Sequence, residues 1–216
     1  MLSFKKFVFN PFGVNTYLLF DETREAIIID AANSSASEHQ ELLDFVKQND
    51  LRIKYLLNTH CHVDHMMGNA LCKKEFGADF LAHKEEIPLI ERAVEMGAAF
   101  GISVEKPEHP DGFIEDGQEI KFGDTVLKAF HVPGHSPGSL AYYIPEEKLL
   151  FAGDVIFRGS IGRTDLPGGD FDTLISSIRN KILSLDEEVV IYSGHGEKTS
   201  VAQEIKTNPF LARDDE

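Results

Sequence analysis

The sequence predicts a layered α/β fold, with two β-sheets packed face to face and helices covering their outer surfaces. Three observations predict it. Strand-like apolar runs occur in both halves of the chain, each half carries helical segments able to cover one sheet face, and no linker or low-complexity stretch divides the 216 residues. A chain of this length buries roughly 70% or more of its unfolded surface, so residues 1–216 are expected to form a single domain without disulfide support. Periodicity alone leaves a doubly wound sheet as the alternative.

The first half opens with apolar strands at Phe7–Phe9, Thr16–Phe20 and Ala26–Asp30, parted by turn residues at Asn10-Pro11-Phe12-Gly13 and by the charged Asp21–Arg24 stretch. Ser34-Ser35 caps a helix running to about Asn49, with Leu42, Leu43, Phe45 and Val46 on its apolar side. Ile53–Leu57 reads as a buried strand, Asn69–Phe76 as a helix stopped by Gly77, and Asp79–Ala82 as a strand. Lys84–Phe100 reads as a second helical stretch, with ends blurred by Pro88 and Gly97, and Ile102–Ile114 as an irregular flap. Strands return at Glu119–Phe122, Thr125–Val132, Leu140–Ile144 and Leu149–Ala152. A helix over Phe171–Leu183, a strand at Val189–Tyr192 and a closing helix from about Ser200 complete the pattern.

Composition narrows the function. The formal net charge of −15 argues against a nucleic-acid partner, since phosphate binding needs concentrated positive surface. No apolar run reaches the length of a membrane span, and the opening MLSFKKFVFNPFG lacks the apolar core of a signal peptide. The two cysteines, Cys61 and Cys72, form no disulfide framework, so a reducing cytoplasm is expected.

The chemistry is concentrated where strands end. Ile53–Leu57 runs into NTHCHVDH, Thr125–Val132 into PGHSPGS, Leu149–Ala152 into GDVIF, and Val189–Tyr192 into SGHGE. If these four ends share one edge, they deliver His60, His62, Asp64, His65, His135, Asp154 and His195 to a common cleft. Imidazole and carboxylate without thiolate suit zinc, manganese or iron. Seven such groups exceed what one tetrahedral ion uses, whereas two ions sharing a carboxylate would use them all. In an extended loop His60 and His62 point the same way, while the adjacent Asp64 and His65 must turn toward another side. His39, His83 and His109 are expected to be ordinary core or surface residues, and His131 a packing or supporting residue. Cys61, lying between alternating ligands, is expected to face away as a reduced thiol, and Cys72 to lie in the core.

The pattern HxHxDH at His60–His65, followed by His135, Asp154 and His195, resembles the metallo-β-lactamase-fold hydrolases. VPGHSPGS, LFAGD and SIGRTDLPGGD sharpen the resemblance to their glyoxalase II-like branch, the hydroxyacylglutathione hydrolases and their short relatives. It covers essentially the whole chain from NTYLLF onward. It implies an αβ/βα sandwich with the site on one edge. It also implies one metal held by His60, His62 and His135, a second by Asp64, His65 and His195, and Asp154 between them.

A hydroxide between two divalent ions, most readily zinc, would attack a carbonyl, with Asp64 orienting it. No extra proton donor stands in the ligand loops, which favours a small-molecule thioester, because a thiolate departs without strong acid assistance. The family's GHEYT is replaced by GHGEKT, and the chain ends at Glu216, before the helical region that shapes the glutathione site. The family's lysine in GCGK is matched by Arg163, expected to anchor a substrate carboxylate or, failing that, to pair with Asp165 or Asp170. The rival activities on the same fold are an iron persulfide dioxygenase, with one iron on two His and one Asp, and a lactone hydrolase.

Overall fold

The computed structural model describes residues 1–99, 101, 102, 104 and 106–211. Two six-stranded mixed sheets form, as expected. In the first, β1 (Ser3–Phe9), β2 (Val14–Phe20), β3 (Glu25–Ile29), β4 (Arg52–Leu57), β5 (Asp79–Ala82) and β6 (Gly112–Phe113) lie side by side in chain order. Tight turns make β1–β3 antiparallel. From β3 to β6 the pairing is parallel, because helical segments carry the chain back between strands. The second sheet has the order β14 (Thr199–Ser200), β13 (Val190–Ser193), β10 (Leu149–Gly153), β9 (Leu140–Ile144), β8 (Thr125–His131), β7 (Glu119–Phe122). Its one parallel pair is β10 with β13.

Strand alternation builds three apolar layers. Along β2 and β3, Leu18, Ala26 and Ile28 face outward to helices α1 (Ala36–Gln48) and α2 (Asn69–Phe76). Their neighbours Tyr17, Leu19, Ile27 and Ile29 face inward to Leu127, Leu140, Tyr142 and Phe151 of the second sheet. On the far side Ala141, Leu150 and Ala152 pack against Leu174 of α5 (Phe171–Ser177) and Val201 of α6 (Val201–Thr207). The layers are therefore helix, sheet, sheet, helix. Helix α1 begins on a reciprocal cap between Ser35 and Glu38, and Glu38 also accepts from the Asn10 amide at 2.7 Å, tying the first turn of the chain to it.

The element reading needs four adjustments. Lys84–Phe100 is not one helix. A single tight turn at Lys84–Glu86 leads into α3 (Ile87–Glu91) and then α4 (Ala93–Ala99), with the break at Arg92. Pro88 is accommodated in the first turn of α3, where its missing N–H removes no helix bond. Phe100, Ser103 and Glu105 lie outside the described residues. The flap over Ile102–Ile114 contains β6, two residues long, paired with the end of β5. Helix α5 stops being α-helical at Ser177 and continues with wider π-type spacing over Ile178–Ile182. A hairpin of β11 (Ile156–Phe157) and β12 (Ser160–Ile161) follows GDV, too short for alternation to reveal. Among the described residues no helix is long and apolar enough to cross a membrane.

β4, β8, β10 and β13 all end at the same edge of the sandwich, and cross-sheet hydrogen bonds fix that edge. The Leu140 amide donates to Thr59 O at 2.7 Å, the Asn15 amide to Gly194 O at 2.7 Å, and the Tyr142 hydroxyl to Asn58 O at 2.7 Å. The opposite end is clamped by Asp21, in the turn after β2. Its carboxylate accepts from Thr23 N, Thr23 Oγ1, Asp124 N and Thr125 Oγ1, and so holds the β7–β8 turn. Burial acts to raise the Asp21 carboxyl, but these four donors together hold it below its usual value. A depressed folded pKa stabilises the protein above the unfolded pKa of about 3.9, and the contribution is lost as pH falls through the folded value. Asp21→Asn should therefore flatten the loss of stability with falling pH below about pH 4, measured by urea unfolding at a series of acid pH values.

Candidate metal centre

All seven residues singled out from the sequence meet at the shared edge. β4 delivers His60 and His62 from an extended loop, and a tight turn over Val63–His65 then swings Asp64 and His65 away from them. His135 follows β8, Asp154 follows β10 and His195 follows β13. Two clusters result. His60, His62 and His135 make one, with His135 Nε2 3.2 Å from His60 Nε2 and 3.0 Å from His62 Nδ1. Asp64, His65 and His195 make the other, with His195 Nε2 3.3 Å from His65 Nε2 and 3.5 Å from Asp64 Oδ2. Asp154 stands between them: Oδ2 is 3.8 Å from His135 Nε2, and Oδ1 is 3.4 Å from His65 Nε2.

The hydrogen bonds behind these rings fix which nitrogens are bare. His135 Nδ1 donates to the Arg163 carbonyl at 2.8 Å, leaving a lone pair on Nε2. The Thr59 hydroxyl donates to Asp30 Oδ2 at 2.7 Å, so at 3.1 Å it accepts from His60 Nδ1, and His60 Nε2 is bare as well. Two lone pairs thus face each other across 3.2 Å, an arrangement relieved by a cation between them or, for His135 Nε2, by an N–H from His62 Nδ1 at 3.0 Å. Burial, reinforced by the neighbouring imidazoles, holds His60 well below its usual pKa and His62 at about 3, so neither supplies that cation by protonation. Burial also lowers His135, against the pull of Asp154.

The second cluster combines imidazoles with carboxylates. His65 Nδ1 lies 3.0 Å from Asp30 Oδ2, and His195 Nδ1 donates to Phe12 O at 3.1 Å, aiming both Nε2 atoms inward. Burial opposes protonation of His65 and His195, but Asp154 together with Asp30 or Asp64 overcomes it, lifting His65 well above the usual range and His195 to about 9. For Asp154 burial likewise loses to His65 and its neighbours, leaving the carboxyl well below its usual value. Its Oδ1 is buried without a hydrogen-bond partner. Ligands around one tetrahedral ion at about 2.1 Å sit about 3.4 Å apart, the range of the spacings in both clusters. The residues therefore fit divalent cations bound by nitrogen and oxygen. Glycine is required at this edge: a Cβ on Gly194 would lie 2.1 Å from Asp154 Oδ1, and one on Gly153, at φ 51°, would lie 2.3 Å from Thr59 Oγ1.

A cavity of about 260 Å³ opens over both clusters, bordered by His62, Asp64, His135, Asp154 and His195 together with Arg163 and several apolar side chains. Arg163 sits at the exposed mouth, where its guanidinium forms a two-pronged pair with Asp165 at 2.8 and 2.7 Å. Cys61 packs into the apolar cluster beneath the loop and also borders the cavity, so it faces away from the ring nitrogens but not from the cleft. Burial raises its thiol pKa well above the usual value. Cys72 is core. His131 stacks on His83 at 4.1 Å and bonds to Pro137 O, and His39 meets Asn33, away from the clusters. His109 is exposed.

Two supporting residues escaped the sequence reading. Asp30, at the end of β3, accepts from Thr59 N and Thr59 Oγ1 as well as orienting His65. Its position at the end of an apolar strand parallel to β4 was the available signal. Glu86 had none, because it lies in a charged KEE run yet is fully buried. Its Oε2 accepts from the Cys61 amide at 2.6 Å, and its Oε1 from Ser136 Oγ at 2.8 Å and the Gly138 amide at 2.7 Å. It thereby joins the His60–His62 loop to the His135 loop. Glu86→Ala leaves two buried amides unpaired, at about 1–3 kcal/mol each. Urea unfolding should show a loss of about 2–5 kcal/mol.

Residues 9–195 match the family model described as the metallo-beta-lactamase superfamily. The chain is 38% identical over 202 residues to hydroxyacylglutathione hydrolase GloC of Haemophilus influenzae, covering 93% of each. It is 34% identical over 201 residues to the mitochondrial persulfide dioxygenase ETHE1 of Homo sapiens, covering 91% of this chain and 70% of that one. Among solved structures it resembles TTHA1623 "in a di-iron-bound form", with a TM-score of 0.87 at 35% identity over 96% of this chain and 100% of that one. With the family match spanning all four ligand-bearing loops, the chain belongs to the metallo-beta-lactamase superfamily.

Proposed function

We propose that this protein is a hydrolase of thioesters that works with two divalent metal ions, one held by His60, His62 and His135, the other by Asp64, His65 and His195, with Asp154 shared. The observation that carries the proposal is the pair of clusters flanking Asp154, each with donor spacings that fit a divalent cation. GloC, to which the chain is 38% identical, is named as a hydroxyacylglutathione hydrolase, and the TTHA1623 structure is described as a di-iron-bound form. Zinc, iron and manganese all accept this donor set. Two buried cysteines free of disulfides accord with a cytoplasmic setting.

Bound there, divalent ions would lower the pKa of a water toward about 7 and polarise a carbonyl oxygen. The chain's own groups supply the rest. Asp64 is 22% exposed at the cavity, and although burial raises its carboxyl, the hydrogen bond from His195 and the charge of His65 keep it ionised. It can accept a hydrogen bond from the attacking water and hold that water in line with the carbonyl carbon. Asp30 and the carbonyls of Arg163 and Phe12 keep the rings from rotating.

Apart from the proposed ligands, the titratable groups among the described residues around the cavity are Cys61 and Arg163. A buried thiol with a raised pKa and a guanidinium are both poor proton donors to a departing amine or alkoxide. A leaving group that departs as its own anion is favoured, and a thiolate does so. Arg163 would grip an acidic group on the thiol side by opening its pair with Asp165.

The rival reading is persulfide oxidation with a single iron, supported by the 34% identity to a persulfide dioxygenase. Metal analysis and a thioester screen on the purified protein separate the two. Two ions per chain are expected, with thioester turnover. In Asp154→Ala, kcat/KM should fall by about two orders of magnitude or more. One iron per chain after full supplementation, with oxygen consumed on a persulfide, would overturn the hydrolase reading. Arg163→Ala should raise KM for thioesters of acidic thiols at least about tenfold with little change in kcat, the signature of lost uniform binding; an unchanged KM removes Arg163 as an anchor.

A further inference from the structure

The two sides of the cavity are chemically unlike. Towards solvent, its mouth is formed by Phe12, Arg163 and Pro167, all exposed. On the inner side stand Val63, Leu89, Met96 and Ile102, contributed by the ligand loop, by α3 and α4, and by the start of the flap. These four belong to a single apolar cluster that also contains Cys61, Met66 and Phe80, and none of them offers a hydrogen-bonding side chain. Leu89 is only 8% exposed, so this wall is a continuation of the core rather than a surface patch.

Resting on the thioesterase reading, we infer that the acyl group this site takes is a hydrocarbon chain of about six carbons, or a phenyl ring, laid against Val63, Leu89, Met96 and Ile102. The direction of departure assigns the two halves of the substrate. A leaving thiolate gains hydration only by moving outward, so the thiol belongs at the mouth beside Arg163, and the acyl group is left to the inner wall. Size is compatible: an apolar cavity of about 150 Å³ accepts benzene, and the whole cavity, mouth included, is about 260 Å³, so an acyl group of about six carbons is the upper size its inner part takes. A hydroxyl at the far end of the acyl chain would be buried on this wall without a partner, which polar groups resist strongly. Met96, unbranched and with three rotatable bonds, lets the wall adjust to chain or ring.

The test keeps the thiol fixed as N-acetylcysteamine and varies the acyl group through acetyl, butyryl, hexanoyl, benzoyl and 6-hydroxyhexanoyl, with the metal-loaded protein. The value of kcat/KM should rise about fourfold per added methylene up to six carbons, and the 6-hydroxy ester should fall at least about tenfold below hexanoyl. Ketone analogues with CH2 in place of the ester sulfur should follow the same order in Kd by calorimetry, with an increasingly negative heat-capacity change. Met96→Ser, checked for unchanged metal content, should shrink the hexanoyl-to-acetyl ratio in both readouts. A flat or falling series, or a 6-hydroxy ester as good as hexanoyl, overturns the acyl assignment while thioester hydrolysis stands. No turnover of any thioester by protein carrying its full metal complement overturns the underlying reading itself.

Discussion

One electrostatic constraint organises this molecule: at one edge of the sandwich, bare imidazole nitrogens and buried carboxylates are held close together, and the positive charge the described residues offer them there is that of His65 and His195. His60 Nε2 and His135 Nε2 present lone pairs to each other across 3.2 Å, and Asp154 keeps an unpaired oxygen nearby. Left without positive charge, such a cluster would be unfavourable by repulsion and by desolvation together. The surrounding structure resists the relaxations that would relieve it. Asp30, Thr59 and the carbonyls of Phe12 and Arg163 occupy the outward-facing nitrogens of His65, His60, His195 and His135, so these four rings cannot turn away without abandoning a hydrogen bond.

The sandwich is built to hold that edge still. Four strand ends from two sheets carry the ligand loops, and the sheets are joined there through Thr59 with Leu140, Asn15 with Gly194 and Tyr142 with Asn58. Glu86 adds a bond between the His60–His62 loop and the His135 loop from a segment that itself belongs to neither sheet. The same segment leads into α3 and α4, which form the inner wall of the cavity. Support for one histidine cluster and the shape of the cleft above it are thus properties of one short stretch of chain.

Much of this was legible in the sequence because it depends on local order. Continuous apolar runs at Ala26–Ile29 and Thr16–Leu19 mark strands buried on both faces, and Ser35 with Glu38 marks the start of α1. The seven proposed ligands stand out because each follows a strand, a position where side chains of separate strands can meet. Lys84–Phe100 reads as one helical stretch because, between Pro88 and Gly97, nothing in its composition marks a break at Arg92. Its break at Arg92 and the close approach of Gly97 to Val104 are set by packing over the ligand loop. Glu86 was hidden for the same reason: nothing in Lys84-Glu85-Glu86 says which carboxylate turns inward to three donors from distant loops.

The sequence by itself determined the layered α/β class, the strand ends that bear His and Asp, and the nitrogen–oxygen donor set with its preference for divalent cations. These follow from side-chain chemistry and from periods of two and of 3.6 residues, which are local. Only the tertiary structure decided the distances at which the donors meet about Asp154, that Asp30 and Glu86 stand behind them, and that an apolar wall of Val63, Leu89, Met96 and Ile102 borders the cavity whose mouth carries Arg163. Those features join residues up to 183 positions apart, as in Phe12 with His195. Their distances and protonation states are set by burial and by neighbours that come together only when both sheets close.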